Sequence, residues 1–179
     1  VTEEDARDYI VTGCWGMQTN CAGMMDGAFY VNLLKAFEYQ IHNRTDMMKD
    51  VGMHFAPIDG AVDFEEVYRI TCANMNTLFK ERNRITAIGG HMWEQVDPLP
   101  IFSSLFCDCI KNKRDFTNSG ARYNDECYKC VGFPNIVDSL LAIKTLCFDK
   151  KKYTLKEMLN AVRNNWSGYD EMRLDAIHC

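Results

Sequence analysis

Apolar side chains recur at helical spacing along much of the chain. Every fourth residue from position 29 to position 41 is apolar, which predicts a helix over residues 28–42. A longer apolar stripe starts after Asp63, and we expect the two glycines at positions 89 and 90 to interrupt it. The face of this long helix is predicted to contain Phe64, Val67, Cys72, Met75, Leu78 and Phe79. Three more helices are predicted over residues 101–111, 134–150 and 154–165, with Ser167 as a candidate cap for a last one.

Polar residues mark the starts of several of these helices. A hydroxyl or carboxylate at the cap position accepts a hydrogen bond from a backbone N–H that would otherwise have no partner. Three pairs of such a cap with an acidic residue three positions later stand at predicted helix starts. The pairs are Thr2 with Asp5, Asp63 with Glu66, and Thr154 with Glu157.

The segments between the helices predict short strands and loops. Residues 9–11 (YIV) form a strand candidate, and a second possible strand lies within residues 121–130. Residues 12–27 are rich in Gly, Thr, Asn and Met, which predicts a shaped loop, and residues 51–62 contain further loop signals. Helices separated by short strands and loops favour the α/β class.

Composition and charge exclude several classes of protein. The formal net charge of −5 argues against a nucleic-acid binder, and no apolar run reaches the ~20 residues that a membrane helix needs. Nine cysteines, an odd count, favour a reducing cytoplasm over a secreted disulfide framework. The chain starts at Val1 within a segment that already contains helix signals. We therefore expect residues 1–179 to be a single region and an internal fragment of a larger protein.

Cys14 is the first candidate for chemistry. It follows the strand candidate and lies between two glycines in the run TGCWG, residues 12–16. A cysteine on a loop bounded by glycines can project into a cavity, although a small buried apolar residue is the alternative interpretation. No histidine lies close in sequence, so the local sequence does not indicate Cys–His nucleophilic catalysis.

Four other cysteines suggest a different kind of site. Cys107 and Cys109 form a C-x-C pair, and Cys127 and Cys130 form a C-x-x-C pair, so together they could bind zinc or an iron–sulfur cluster. An apolar stripe at helical spacing through the first pair predicts instead that Cys109 packs in a core. We expect no disulfide and no tetrahedral sulfur site among these four residues.

Two blocks in the second half of the sequence carry a more specific signal. Residues 119–124 read SGARYN, and residues 131–144 read VGFPNIVDSLLAIK. With the spacing between them, they closely resemble the late-barrel signature of glycyl radical enzymes of the pyruvate formate-lyase-like group. Residues 4–9 (EDARDY), which lead to Cys14, resemble the segment that precedes the catalytic cysteine of that family. Further matches in the same order are residues 98–100 (PLP), 103–105 (SSL), 108–110 (DCI) and 165–169 (NWSGY).

The resemblance implies an α/β fold, namely part of a β/α barrel that is mostly helical with short barrel strands. It implies that Cys14 is the catalytic residue, which as a thiyl radical takes a hydrogen atom from a small organic substrate. Cys14 is then expected to face the inner side of the curved sheet. Asp26, Trp15 and Gly16 are expected to bind the substrate, and the alternative for Asp26 is a helix N-cap. Leu140, Ile143 and Leu146 are expected to be buried.

The same resemblance implies a cofactor and partners outside this chain. In the family, a backbone glycyl radical on a separate C-terminal loop starts the reaction, and an activating enzyme with S-adenosylmethionine and an iron–sulfur cluster installs it. We therefore expect this radical-SAM activating enzyme as a partner, no directly bound cofactor or metal, an anaerobic cytoplasm, and a homodimer at full length. The sequence contains no glycyl-loop motif of the R-V-x-G-Y type, so the chain is not expected to be active alone.

The sequence departs from the family pattern close to Cys14. Many dehydratases and decarboxylases of the family carry a general-base glutamate two residues after the cysteine, where this chain has Gly16. The stretch to Asp26 is two residues shorter than the family pattern, and Cys127 and Cys130 stand where glycines are expected. The missing glutamate disfavours a standard diol dehydratase and leaves carbon–carbon lyase or addition chemistry open. The alternatives are a cysteine-rich metal-binding module and a non-catalytic relative of the family.

Overall fold

The computed structural model describes residues 1–12, 16–44 and 52–179, with side chains for all of these except residues 12, 24–29, 90–91 and 125–127. The described chain divides into two compact units. The first unit consists of Val1–Tyr30 with Asn83–Lys129, and the second consists of Val31–Arg82 with Cys130–Cys179.

The described residues form strands and helices in mixed order, with helices in the majority, which is consistent with the predicted α/β class. The strands pair as β1 with β2 and β3 with β4. They are β1 Tyr9–Thr12, β2 Gly16–Thr19, β3 Gly23–Asn32 and β4 Tyr123–Val131. The helices are α1 Glu3–Arg7, α2 Leu33–Ile41, α3 Phe64–Val96, α4 Pro100–Ser103, α5 Cys109–Asn112, α6 Phe133–Ile143, α7 Leu155–Arg163 and α8 Asp170–His178, with a 3-10 helix Phe116–Asn118 and a π-helix Lys144–Asp149.

The predicted loop over residues 12–27 is wrong for most of its length. β1 and β2 form an antiparallel hairpin in which Tyr9 pairs with Thr19 and Thr12 pairs with Gly16. β3 then begins at Gly23. Glycine and polar residues weaken a strand signal in the sequence, but a strand partner satisfies the backbone hydrogen bonds of both segments.

The helix predicted over residues 28–42 begins five residues later than expected. β3 continues through Asn32, whose side chain accepts a hydrogen bond from the backbone N–H of Lys35 (2.9 Å) and caps α2 at its start. Residues 29–31 (FYV) are aromatic or β-branched, and such residues fit a paired strand as well as a helix. Pairing with β4 therefore decides their conformation.

The helix α3 runs for 33 residues without a break, so the interruption predicted at positions 89 and 90 is wrong. The predicted apolar face is also only partly correct, because Cys72 is exposed. The buried positions between 67 and 74 include two polar residues, Thr71 and Asn74. The Asn74 amide accepts from the N–H of Ala56 and donates to its carbonyl oxygen, both at 2.9 Å, so its burial leaves no group unpaired there.

The helix predicted over residues 101–111 is divided into two short helices, α4 and α5. Asp108 lies immediately before α5 and has a φ of 73°, in the left-handed region. A residue in the left-handed region does not continue a helix, and nothing in the local apolar pattern indicates one at this position.

The last third of the chain follows the predictions more closely. The helix expected over residues 134–150 appears as α6, continued by the π-helix to Asp149. Thr154 and Glu157 form the expected capping box of α7. Ser167 does not cap α8, since Tyr169 precedes that helix and makes no side-chain cap bond.

The core of the second unit consists mainly of apolar side chains. Ile143 and Leu146 are buried as predicted, whereas Leu140 is only half-buried, so that prediction is wrong. Among the described residues, the largest fully buried side chains of this unit are Phe37, Gln40, Ile58, Val67 and Leu159. None of the described helices has the length and apolar character needed to cross a membrane.

Candidate functional site

Cys14 and Trp15 lie outside the described residues, so the predicted orientation of Cys14 remains a prediction. The described pair nearest to them in sequence is Thr12 with Gly16, at the ends of β1 and β2. In sequence, Cys14 therefore lies between two strands that pair with each other. The hairpin of β1 and β2, called the cysteine hairpin below, is the element from which the candidate site is built.

The turn after β2 joins the cysteine hairpin to two distant parts of the first unit. Cys21 has a φ of 54°, and its carbonyl oxygen accepts a hydrogen bond from the N–H of Cys107 (2.7 Å). The N–H of Tyr123 donates to the carbonyl oxygen of Ala22 (3.0 Å), and the N–H of Arg122 donates to that of Cys107 (3.2 Å). Main-chain hydrogen bonds thus join the turn after β2 to Cys107, which directly precedes the DCI block, and to the SGARYN block.

Arg122 connects these blocks through its side chain as well. Its Nε–H donates to Oδ2 of Asp108 (2.8 Å), and Nη1 donates to both carboxylate oxygens of Asp5 (3.1 and 3.2 Å). The side-chain exposure is 40% for Arg122, 17% for Asp5 and 23% for Asp108. We call these three residues the Arg122 clamp. The hydrogen bonds between these groups, together with their opposite charges, raise the pKa of Arg122 and lower that of Asp108.

Asp5 is the most heavily hydrogen-bonded member of the clamp. The hydroxyl of Tyr123 donates to its Oδ2 (2.7 Å), and the hydroxyl of Thr2 donates to the same oxygen (2.8 Å). The N–H of Thr2 donates in turn to the Tyr123 hydroxyl oxygen (3.0 Å). Hydrogen bonds from Tyr123 and Thr2, together with the Arg122 charge, hold the pKa of Asp5 below its usual value. The expected cap of α1 by Thr2 is confirmed, since the Thr2 side chain also accepts from the N–H of Asp5.

Gly120 of the SGARYN block lies so close to the main chain of residues 114 and 115 that only glycine fits. A Cβ atom at Gly120 would lie 2.2 Å from the carbonyl oxygen of Arg114 and 2.7 Å from that of Asp115. The N–H of Gly120 donates to the Asp115 carbonyl oxygen (3.0 Å), so this segment cannot move away without losing that bond. The absence of a side chain at this position allows the following residues, Arg122 and Tyr123, to reach Asp5.

A second motif glycine, Gly132, has a different requirement in the second unit. It precedes α6 with a φ of 78°, a conformation that residues with a Cβ atom rarely adopt. A Cβ atom there would also lie 2.5 Å from the Cβ atom of Leu34. The glycine of the VG pair therefore permits both the turn into α6 and its contact with α2.

The residues predicted to contact substrate are placed only in part. Asp26 lies within β3, far from the start of α2, so its alternative role as a helix N-cap is wrong. The Asp26 side chain is outside the described set, and its substrate contact stays a prediction. Gly16 is half-buried at the start of β2 and offers no carboxylate to the site.

The four cysteines of the metal hypothesis have different environments. Cys109 is buried in an apolar cluster with Phe116 and Ala121, and burial raises the pKa of its thiol. Cys107 and Cys130 are free thiols, and the Cys127 side chain lies outside the described set. Within the described part of the chain, no three His, Cys, Asp or Glu side chains are grouped so as to hold a metal ion.

The sequence predictions did not include the Arg122 clamp. Asp5 and Arg122 both belong to blocks that carry the family resemblance, which is a signal that could have drawn attention to them. They are 117 positions apart in sequence, however, and no local pattern indicates that two such distant residues pair.

A cavity of about 770 Å³ within the second unit is lined by residues of α2, α6, α7 and α8. Its lining is largely apolar and includes Phe37, Leu141, Trp166 and Ile177. Gly16, whose position the structure describes, does not line this cavity.

Comparisons with known proteins agree with the sequence blocks. The profile of the family described as pyruvate formate lyase-like matches residues 1–179. (2S)-3-sulfopropanediol dehydratase of Klebsiella oxytoca is 31% identical over 179 residues, which cover 96% of this chain and 21% of that protein. Trans-4-hydroxy-L-proline dehydratase of Clostridioides difficile is 30% identical over 175 residues, covering 94% of this chain and 22% of that protein.

Solved structures show the same relationship. The glycerol-bound form of the B12-independent glycerol dehydratase from Clostridium butyricum is similar to this chain with a TM-score of 0.87 and 28% identity. The match covers 98% of this chain and 22% of that protein. The chain thus spans about a fifth of the length of the relatives that it matches.

Proposed function

Because the chain belongs to the pyruvate formate lyase-like family, we propose that it is the cysteine-bearing part of a glycyl radical lyase. In this proposal the parent enzyme contains a β/α barrel, acts in an anaerobic cytoplasm, and forms a homodimer. Its substrate is a small organic molecule. The radical-SAM activating enzyme is its partner, and the glycyl radical lies on a segment outside this sequence.

The observation that carries the proposal is the meeting of the family blocks at the cysteine hairpin. Hydrogen bonds from Arg122 of the SGARYN block reach Asp5 of the block before Cys14 and Asp108 of the DCI block. These blocks are spread over more than a hundred residues of sequence. Their assembly around the strands that flank Cys14 supports a role for that residue in chemistry rather than in a generic core.

In the proposed reaction, the glycyl radical supplies the unpaired electron that Cys14 receives. Cys14 would give its thiol hydrogen atom to the glycyl radical, which becomes an ordinary glycine, and would itself become a thiyl radical. The thiyl sulfur would then take a hydrogen atom from a substrate carbon, which reforms the S–H bond and leaves a carbon-centred radical. After a substituent leaves or a bond breaks, Cys14 returns the hydrogen atom to the product radical. The transfers require close approach of sulfur and carbon in a site that excludes water.

Gly16 narrows the class of reaction. With glycine at this position, a general-base carboxylate two residues after Cys14 is missing. We infer that the substrate reacts without losing a proton to a side chain at position 16, as in carbon–carbon bond cleavage or addition. Trp15 and Asp26 are proposed to contact the substrate, with Asp26 placed on β3 beside β4.

The test is the substitution Cys14→Ser in the complete, activated enzyme. Serine preserves size and shape, but an O–H bond is considerably stronger than an S–H bond, so hydrogen transfer stops at this residue. We expect turnover to be lost while the glycyl radical still forms and persists with substrate present in an electron spin resonance spectrum.

Cys21→Ser is the matched control, because Cys21 is an exposed free thiol seven residues further along the chain. It is expected to retain turnover. Activity that survives Cys14→Ser but is lost in Cys21→Ser would transfer the hydrogen-carrying role to Cys21.

A further inference from the structure

The Arg122 clamp acts on the segment that leads into the cysteine hairpin. We propose that Arg122 is a positioning residue, which fixes α1 and β1 so that the hairpin holds Cys14 in the geometry needed for hydrogen-atom transfer. This inference rests on the proposed function of Cys14 and adds a residue that acts through others without contacting substrate.

The connection from the clamp to the hairpin is short. Asp5 lies in α1, and Asp8 is the one residue between α1 and β1. The N–H of Asp8 donates to the Glu4 carbonyl oxygen (3.2 Å), and the Asp8 carbonyl oxygen accepts from the N–H of Asn20 (2.9 Å). A displacement of Asp5 would therefore be transmitted to both strands of the hairpin within a few residues.

The geometry of the clamp depends on a guanidinium group. Nε and Nη1 of Arg122 donate to two carboxylates on different segments, Asp108 in the turn before α5 and Asp5 in α1. The fixed planar arrangement of these donors sets the distance between the two segments. An ammonium group at the same position would be a single point charge on a flexible stem and would not set that distance.

Helix α1 also contains an ion pair that serves as a comparison, because both of its partners lie in the same helix. Arg7 and Glu3 are 2.5 Å apart, one turn from each other within α1, and both side chains are 79% exposed. Exposed pairs of this kind contribute little to global stability. The Arg122 clamp differs because it bridges separate segments, and Tyr123 and Thr2 also bind its Asp5 carboxylate.

The primary test compares Arg122→Met, Arg122→Lys and the control Arg7→Met in the complete, activated enzyme. A misplacement of about 1 Å can reduce the rate by roughly 10²-fold. We expect kcat to fall by about tenfold to 10²-fold in both Arg122 variants, with unchanged KM and unchanged glycyl radical content. The deuterium isotope effect on kcat for a substrate labelled at the reacting carbon should rise, because hydrogen transfer becomes slower than the other steps. Arg7→Met should match the wild type.

A second measurement separates local positioning from general stability. In the complete enzyme, Arg122→Met should accelerate amide hydrogen exchange in Tyr9–Thr12 and Gly16–Thr19, with no change in Leu155–Arg163. Equal acceleration in all three segments, or a kcat equal to that of Arg7→Met, would overturn the proposal. If Cys14→Ser retains turnover while the hairpin still exchanges faster in Arg122→Met, the proposed function is wrong and the clamp still fixes the hairpin.

Discussion

The interactions that stabilise the interior of each of the two units differ in kind. In the second unit, large apolar side chains such as Phe37, Ile58 and Leu159 are almost completely buried. In the first unit, the largest side chain of comparable burial among the described residues is that of Cys109. There the hydrogen bonds and ion pairs of the Arg122 clamp join separate segments, and an apolar cluster contains Cys109, Phe116 and Ala121.

This difference indicates how the two units would respond to substitution. Apolar contacts have no preferred direction and depend on how well the buried volume is filled. Removing a buried apolar side chain therefore lowers the free energy of unfolding. A network of directed hydrogen bonds fixes angles and distances between segments while contributing less to global stability. We therefore expect substitutions in the clamp of the first unit to change mainly the distances and angles between segments. Substitutions in the apolar core of the second unit should change mainly the free energy of unfolding.

The largest expected effect is in the second unit. Phe37→Ala should lower the free energy of unfolding by about 3–5 kcal/mol, because it removes a large buried ring and leaves a cavity. Urea denaturation followed by circular dichroism measures this change. Phe133→Ala in the same unit is the control, since that ring is 57% exposed and its loss should be small. Equal losses in both variants would contradict the assigned core.

An intermediate effect is expected from a glycine of the first unit. Gly120→Ala should lower the free energy of unfolding by about 1–3 kcal/mol, since its methyl group would meet two backbone carbonyl oxygens that cannot move easily. The control is Gly89→Ala in α3, where a Cβ atom would meet nothing within 4 Å. Alanine favours the helix, so this control should raise stability by about 0.5–1 kcal/mol. The same sign for both variants would be inconsistent with the structure.

The smallest effect concerns acid sensitivity of the clamp. Since the pKa of Asp5 is lowered in the folded chain, its stabilising contribution is present above the usual carboxyl pKa of about 4 and is lost as the pH falls through the lowered value. The difference in urea midpoint between wild type and Asp5→Asn should thus shrink from about pH 5 to about pH 3. A difference that stays constant over this range would show that the carboxylate makes no charge-dependent contacts.

Local sequence signals determined the features that depend on a few neighbouring residues. The caps at Thr2 and Thr154, the strand at residues 9–11 and the helix after Gly132 were all predicted, because each depends on contacts within one or two turns of the chain. The family blocks, including SGARYN, also identified the relationship to the radical enzymes.

Only the tertiary structure decided the features that depend on a distant partner. Residues 29–31 suit a helix or a strand, and pairing of β3 with β4 selects the strand. The left-handed Asp108 and the ion pair of Arg122 with Asp5 depend on segments that meet only after folding. Local propensities amount to a few tenths of a kcal/mol up to about 1 kcal/mol per residue, so contacts between distant segments can override them.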